Sequence, residues 1–332
     1  MSISFYTLSP RVTVWMMALP QFHPLYPWLA TPLAAIMGQP LLALLLVSSL
    51  ATLGLLIAFE YLARLDLAPP AARTSTLLLI LAPPAFILFA PYTESLFLLC
   101  SVLCILWARE QRWWLAGLAG ALATLTRQQG LFLLLPLAWE MWEVSNRQWR
   151  HLLLAWRSWL ALALVPAGML VWIIYRALAL GDVQANFSNP QALIYSVLIS
   201  PSASKVVPEQ AFLWPWDVLW VAAQNYQLSP GQNIVDLVLG AGFLVLLVVA
   251  WPNMRISYRI YAVVVTLVSF SYYTGPLQPY MGLSRHLLLA FPVFIGLGPV
   301  IRPGLTRLLL LTLSSFGFFF LIFVYVIRAW VP

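Results

Sequence analysis

The chain has 332 residues, of which 62% are hydrophobic and only 8% are charged, and its mean hydropathy is +0.90. This composition excludes a water-soluble globular protein, because so few charged residues cannot cover its surface. The net charge of +7 does not indicate a nucleic-acid partner, because the Lys and Arg residues lie at the ends of apolar runs and form no patch with interleaved aromatic residues. The sequence therefore predicts an all-α, multi-pass integral membrane protein whose surroundings are membrane lipid.

Residues 1–39 form an unusual N-terminal segment. The apolar run at residues 11–22 is broken by Pro20 and is shorter than the ~20 residues that a membrane helix needs. Residues 23–28, which follow it, are rich in proline and aromatic residues. We expect the segment 1–39 to lie at the membrane interface rather than to cross the bilayer.

Apolar runs predict about ten membrane helices in a single membrane domain. One group lies within residues 40–180 and a second within residues 233–332, and a long extracytoplasmic loop, residues 181–232, separates them. We expect a kink at Pro83 and Pro84, and the short pair 113–126 and 130–142 either tilts to cross or dips partway. The predicted spans are residues 40–61, 76–90, 96–107, 113–126, 130–142, 160–180, 234–251, 258–273, 287–300 and 308–327.

Basic residues predict the orientation, because cytoplasmic loops carry an excess of Lys and Arg. If the loop with Arg64 and Arg73 is cytoplasmic, alternation of the spans places the other basic loops on the same side. The opposite side then receives the segments with unusual polar residues, so we predict a site on the extracytoplasmic face. Those segments are residues 1–39, the hairpin at Glu94, the helix junction at Arg127, the loop 181–232 and residues 276–286.

The hairpin at residues 90–96 places one carboxylate, Glu94, between two long apolar runs. An ionisable group at the edge of a membrane domain is a functional candidate, because its charge is costly there unless it meets water or a partner. The alternative is a solvated turn in which Glu94 is the first residue of a helix and is favoured by the helix dipole.

Four short motifs occur in order along the chain: Pro24-Leu25-Tyr26-Pro27, Tyr92-Thr93-Glu94-Ser95, Trp113-Trp114-Leu115-Ala116-Gly117 running into Leu125-Thr126-Arg127 and Gly130, and Ser284-Arg285-His286. In this order, over about residues 20–330, the sequence resembles the family of the second mannosyltransferase of glycosylphosphatidylinositol assembly and its bacterial relatives. The resemblance implies a GT-C-like bundle that transfers mannose from a polyprenyl-phosphate donor to a lipid-linked or glycan hydroxyl acceptor. It also implies that the protein lies in the plasma membrane of a bacterium and that its active site faces the outside of the cell.

The implied reaction suggests roles for the polar residues of these motifs. Glu94 is the candidate catalytic base or acceptor-orienting group, because transfer to a hydroxyl needs a carboxylate near the acceptor. Arg127 and Arg285 are the candidate cations for the lipid phosphate, because a guanidinium presents a planar fork of donors. The remaining candidate substrate-binding residues are Tyr92, Gln128, Gln129, Asp217 and His286.

Structural alternatives stay open for several of these residues. An arginine at the end of a membrane helix commonly anchors the helix at the interface or extends its charge to water. Asp217, in the long loop, is also typical of a solvated face or a helix cap. The sequence predicts neither a metal site nor a cofactor besides the lipid-phosphate donor, because three scattered histidines lack metal-ligand spacing. Cys100 and Cys104 lie in one apolar run, where core packing is expected.

One departure from the family pattern concerns its catalytic aspartate. The resemblance implies an additional first span and an Asp-bearing loop ahead of Pro24, whereas no residue before Glu60 is acidic. The chain is then truncated, or that segment has degenerated, or Glu94 serves instead. The alternative function is a non-catalytic lipid-handling or transport protein, including an inactive transferase; paired repeats and charged residues within spans, which are typical of transporters, are not expected here.

Overall fold

The structure, a computed structural model, describes residues 23–179, 211–301 and 304–327. The predicted apolar run at residues 11–22 and most of the predicted loop 181–232 lie outside these residues. In the first described part, the α-helices are α1 (Leu25–Met37), α2 (Pro40–Arg64), α3 (Pro69–Ile80), α4 (Glu94–Arg109), α5 (Trp113–Thr126), α6 (Leu134–Val144), α7 (Trp149–Leu154) and α8 (Trp156–Ala179), and 3-10 helices occupy Pro83–Leu88 and Gln128–Leu133.

The described residues from 211 onward contain six more α-helices and one short antiparallel strand pair. Strand β1 (Ala211–Phe212) pairs with β2 (Tyr272–Tyr273), with Ala211 opposite Tyr273. The helices are α9 (Pro215–Gln224), α10 (Pro230–Ala250), α11 (Ile256–Ser271), α12 (Leu283–Leu288), α13 (Pro292–Leu297) and α14 (Leu305–Val326), and 3-10 helices occupy Tyr226–Leu228 and Trp251–Asn253.

Among the residues that the structure describes, four helices are long and apolar enough to cross a membrane, namely Pro40–Arg64, Trp156–Tyr175, Pro230–Asn253 and Leu305–Val326. Large apolar side chains cover their outer faces, as at Leu313 and Phe316 of α14, which are 68% and 69% exposed. Such a surface suits lipid rather than water. The predicted class, an all-α multi-pass membrane protein, is confirmed, and the count of about ten membrane helices stays a prediction.

Two predicted spans are interrupted. The run 76–90 contains the end of α3 and then the 3-10 helix Pro83–Leu88, so the proline pair breaks the helix rather than only bending it. The run 287–300 contains the end of α12 and all of α13, because the ring of Pro292 cannot follow a continuous helix. The connecting residues 289–291 are buried, which is where irregular backbone is tolerated within a membrane protein.

Successive helices run between two ends of the bundle. Helix α4 begins at Glu94 and ends at Arg109; α5 returns alongside it and ends where Arg127 contacts Glu94. The short pair 113–126 and 130–142 therefore runs between the same ends as α4. With 16 residues, α4 is about 24 Å long. We call the end that contains Glu94 the Glu94 end and the other the Arg109 end.

Helices α5 and α8 approach each other closely because both carry glycines at the contact. A Cβ atom on Gly117 would lie 1.9 Å from the carbonyl oxygen of Ala161, and one on Gly168 would lie 2.5 Å from that of Ala121. Small residues at such contacts let helix backbones meet within a membrane, where van der Waals packing drives helix association.

Gly117→Ala is therefore expected to destabilise the bundle by about 1–3 kcal/mol, the usual cost of overpacking. The measurement is the free energy of unfolding in mixed micelles. Gly242→Ala is the matched control, because a Cβ atom there meets no atom within 4 Å. Equal stability of the two variants would contradict the close approach of α5 and α8.

The Arg109 end is held by a network of charged side chains that are largely shielded from water. Arg109 donates to both carboxylate oxygens of Asp66, at 2.7 and 2.9 Å, and also donates to the hydroxyl of Tyr258 at 2.7 Å. Glu140, which is buried, accepts a hydrogen bond from Ser257 at 2.5 Å. These contacts join α4, α6 and α11 to the loop between α2 and α3, which contains Asp66.

Glu140 also corrects one expectation about the spans. It lies within the predicted span 130–142, so the expectation that the spans carry no charged residue is wrong. Its carboxylate lies 3.4 Å from the guanidinium of Arg255. The charge is therefore compensated within the protein, although its position in an apolar run was visible in the sequence.

Candidate functional site

Glu94 is the first residue of α4, and its side chain turns into the protein. Its position at the helix start agrees with the sequence prediction, and the positive end of the helix dipole favours a carboxylate there. The side chain is 0% exposed, however. The alternative of a solvated turn is therefore wrong, and the charge is stabilised by partners instead of water.

Two arginines supply those partners. The Nη1 atom of Arg127 lies 2.7 Å from Oε1 of Glu94 and also donates to the hydroxyl of Thr93 at 3.0 Å. The Nε atom of Arg285 lies 3.1 Å from the same Oε1 atom, although it lacks hydrogen-bond geometry. Their side chains are 15% and 21% exposed. Both arginines face a buried carboxylate, rather than extending to water as interfacial anchors.

Local backbone breaks bring these side chains together. Helix α5 ends at Thr126, and Arg127 has an extended backbone before the 3-10 helix that follows it. Gly130 is required in that 3-10 helix, because a Cβ atom there would lie 2.4 Å from the backbone nitrogen of Thr124. On the other side, Gly282 precedes α12 with φ +81°, a conformation that glycine adopts readily, and Arg285 lies in the first turns of this helix.

Tyr92 and His286 flank the arginines. The guanidinium of Arg285 lies 5.3 Å from the centre of the Tyr92 ring, a distance typical of a cation–π contact. Burial raises the pKa of the Tyr92 hydroxyl well above its usual range. Burial, together with the charges of Arg285 and Arg127, lowers the pKa of His286 well below its usual range. Both side chains are therefore neutral at pH 7.

Tyr26, in the first motif, is linked to the hairpin at Glu94 through hydrogen bonds of Ser48. The Tyr26 hydroxyl donates to the carbonyl oxygen of Leu44 at 3.0 Å and lies 2.8 Å from the hydroxyl oxygen of Ser48. Ser48 in turn donates to the carbonyl oxygen of Tyr92 at 3.3 Å. His23 lies 2.7 Å, through Nδ1, from the carbonyl oxygen of Thr124. Residues of the four sequence motifs thus meet at the Glu94 end.

Several buried polar atoms in this region have no hydrogen-bond partner among the described residues. Buried polar groups are nearly always paired, so such a concentration indicates a place for a polar ligand or water. The Oε2 atom of Glu94 and the Oε1 atom of Gln128 are acceptors, and the unpaired Nε of Arg285 is a donor. The set comprises Glu94 Oε2, Ser95 Oγ, Gln128 Oε1, Ser284 Oγ and Arg285 Nε.

The two remaining predicted site residues, Gln129 and Asp217, differ in their position relative to this cluster. Gln129 is adjacent to it and accepts a hydrogen bond from Nε of Arg127 at 3.4 Å. Asp217 is an exposed residue in the first turn of α9. Its carboxylate makes no hydrogen bond or ion pair with the residues that the structure describes. Its exposure matches the alternative of a solvated face, whereas the N-cap of this helix is Trp214.

Thr93, Tyr26 and Ser48 also help to form the site, and sequence reasoning did not assign them a role. Thr93 and Tyr26 lie within the recognised motifs, which was the available signal, whereas Ser48 lies in an apolar span. Cys100 and Cys104 are free and buried, as core packing predicts. Within residues 23–179, 211–301 and 304–327, no group of three His, Cys, Asp or Glu side chains could hold a metal ion.

Comparisons with known proteins give a fold similarity alone. No protein-family profile matches the sequence, and no curated protein matches it. Two solved structures are similar: ArnT from Cupriavidus metallidurans bound to undecaprenyl phosphate, with TM-score 0.52, and the same protein in the apo state, with TM-score 0.54. Each is 15% identical, and each match covers 87% of this chain and 54% of the ArnT chain.

This chain therefore spans about half the length of ArnT. The similarity in fold agrees with the predicted GT-C-like bundle. At 15% identity, the similarity is one of fold and does not distinguish the mannosyltransferase family that the sequence motifs resemble.

Proposed function

We propose that this protein is a membrane glycosyltransferase that takes a sugar from a polyprenyl-phosphate donor and transfers it to a hydroxyl acceptor. The observation that carries the proposal is the pair Arg127 and Arg285, which meet over the buried Glu94 beside unpaired polar atoms. Two partly exposed guanidiniums suit a lipid phosphate, because they stabilise the charge that develops when the sugar departs.

The fold similarity supports a polyprenyl phosphate as the carrier. ArnT, a GT-C glycosyltransferase, is similar in fold and was solved with undecaprenyl phosphate bound. The motif resemblance favours mannose as the sugar and a lipid-linked or glycan hydroxyl as the acceptor. The distribution of basic loops favours the extracytoplasmic face of a bacterial plasma membrane for the Glu94 end.

The polar residues of the site receive separate roles in this reaction. Arg127 and Arg285 bind the donor phosphate, and the neutral side chains of Tyr92, Gln128 and His286 contact the phosphate or sugar. Glu94 uses Oε1 to hold the two arginines. Its Oε2 atom, which lacks a described partner, is the candidate acceptor for the proton of the attacking hydroxyl. Asp217, on exposed α9, is a candidate for acceptor binding outside the cluster.

A second candidate function is a non-catalytic lipid-phosphate binding protein. It is favoured by the pairing of Glu94 with two cations, because such pairing makes a carboxylate a weaker base. A transport role gains little support from Glu140, since that charge is compensated by Arg255 and Ser257 at the Arg109 end.

The test uses the purified full chain in nanodiscs with decaprenyl-phosphate mannose and a bacterial lipid extract as acceptor. We expect release of decaprenyl phosphate and formation of a mannosylated product, measured by mass spectrometry. If the protein transferred only a different sugar from decaprenyl phosphate, mannose would be wrong as the proposed sugar, but the proposed glycosyltransferase activity would stand. Binding of decaprenyl phosphate without transfer from any donor in a panel of hexoses and pentoses would favour the non-catalytic candidate.

A further inference from the structure

The buried cluster at the Glu94 end carries a net charge of one positive unit. Arg127 and Arg285 contribute two positive charges, and Glu94 contributes one negative charge that contacts both of them. Tyr92 and His286 are neutral. Among the described residues, no acid other than Glu94 forms an ion pair with either of these arginines. Glu94 therefore determines whether a ligand meets one or two uncompensated cations.

The proposed reaction changes the charge of the group in this position. A sugar linked to a polyprenyl phosphate is a phosphodiester with one negative charge. In the transfer, the bond from the anomeric carbon to the phosphate oxygen breaks and its electron pair stays on the phosphate. A bond forms from the anomeric carbon to the acceptor oxygen, whose proton passes to Glu94 and then to water. Glu94 therefore carries its negative charge again before the carrier leaves. The carrier remains as a phosphomonoester, which carries about −1.5 to −2 charges at pH 7.

We propose that Glu94 sets the charge of this site so that it matches the phosphodiester donor and limits retention of the phosphomonoester product. The inference rests on the function proposed above and assigns Glu94 a role in selecting between the two charge states. Its position suits this role because its carboxylate touches both guanidiniums and is shielded from water. At a low effective dielectric, a unit charge that directly contacts the anion-binding cations changes the affinity for an anion strongly.

The ligand charge predicts a specific pattern of affinities. Removing the negative charge of Glu94 strengthens the attraction for any anion, but the gain for a doubly charged ligand is about twice that for a singly charged one. A merely structural role predicts something different. If Glu94 only holds the arginines in place, its loss weakens the binding of both ligands together.

The experiment measures binding of geranyl phosphate and of its methyl diester to the full chain in nanodiscs by calorimetry. For Glu94→Gln we expect the affinity ratio of monoester to diester to rise on the order of tenfold or more. Glu94→Asp keeps the charge and is expected to keep the ratio. In the double variant Glu94→Gln and Arg127→Gln, the net charge returns to one positive unit, so the ratio is expected to fall back towards the wild-type value.

Glu110→Gln is the matched control, because it removes one negative charge from a partly exposed residue just beyond the Arg109 end of α4. An unchanged ratio in Glu94→Gln, with both ligands still bound, would overturn the charge-setting role but leave the proposed function intact. Equal weakening of both ligands would also overturn it, in favour of a structural role. If the wild-type chain bound neither ligand, the proposed lipid-phosphate site would fail as well.

Discussion

Arg127→Ala is expected to reduce sugar transfer at least about 100-fold, the usual cost of losing one donor that stabilises developing charge. The substitution removes a guanidinium from the proposed phosphate site. It also leaves Glu94 with one cationic partner instead of two, and the second partner, Arg285, lacks hydrogen-bond geometry towards it. The measurement is the rate of decaprenyl phosphate release at saturating donor.

Two variants separate this effect from a general loss of structure. Arg127→Lys keeps the positive charge but loses the guanidinium, whose Nη1 atom donates to both Thr93 and Glu94, so we expect an intermediate rate. Arg112→Ala removes an arginine that is 63% exposed near the Arg109 end, and we expect transfer at the wild-type rate. If the folded Arg127→Ala protein transferred sugar at the wild-type rate, Arg127 would not be part of the proposed phosphate site.

Arg109→Ala is expected to lower the free energy of unfolding by about 3–5 kcal/mol, the usual cost of removing one partner of a buried ion pair. Arg109 is only 10% exposed and Asp66 18%, so the carboxylate left behind would keep little access to water. The loss also removes a donor from Tyr258. The measurement is denaturant unfolding in mixed micelles, followed by tryptophan fluorescence.

The matched control for this prediction is Arg64→Ala, which breaks the ion pair between Arg64 and Glu60 one helical turn apart. A spacing of four residues places the two side chains on the same face of the helix. Because Arg64 is 43% exposed, we expect its loss to cost less than about 1 kcal/mol. If Arg109→Ala were as stable as Arg64→Ala, the network at the Arg109 end would not hold the helices together.

The helix boundaries illustrate how far local sequence signals reach. The length and apolarity of the run that begins at Pro40 were sufficient to predict α2, because a helix satisfies its own backbone within lipid. The proline pair Pro83-Pro84 correctly predicted that the helix would be irregular near residue 83. Whether the helix bends or breaks there depends on neighbouring helices, which bury the backbone groups that the prolines leave without helical hydrogen bonds. The local sequence pattern does not contain that information.

The candidate site shows a similar division. Motif order identified Glu94, Arg127 and Arg285 as candidates before any geometry was available. The local pattern left two structures open for Glu94, a solvated turn and a partnered charge, because both place a carboxylate at a helix start. The choice depends on Arg285, which is distant in sequence and reaches Glu94 through the folding of α12 against the bundle.

By itself, the sequence determined the membrane class and most helix positions, because these follow from composition and length. Only the tertiary structure decided that Glu94 is buried between two arginines and that Glu140 is compensated by Arg255 and Ser257. Burial of a charge is stable only when its partners are close. Those partners come from helices far apart in the chain, so periodicity within one helix does not reveal them.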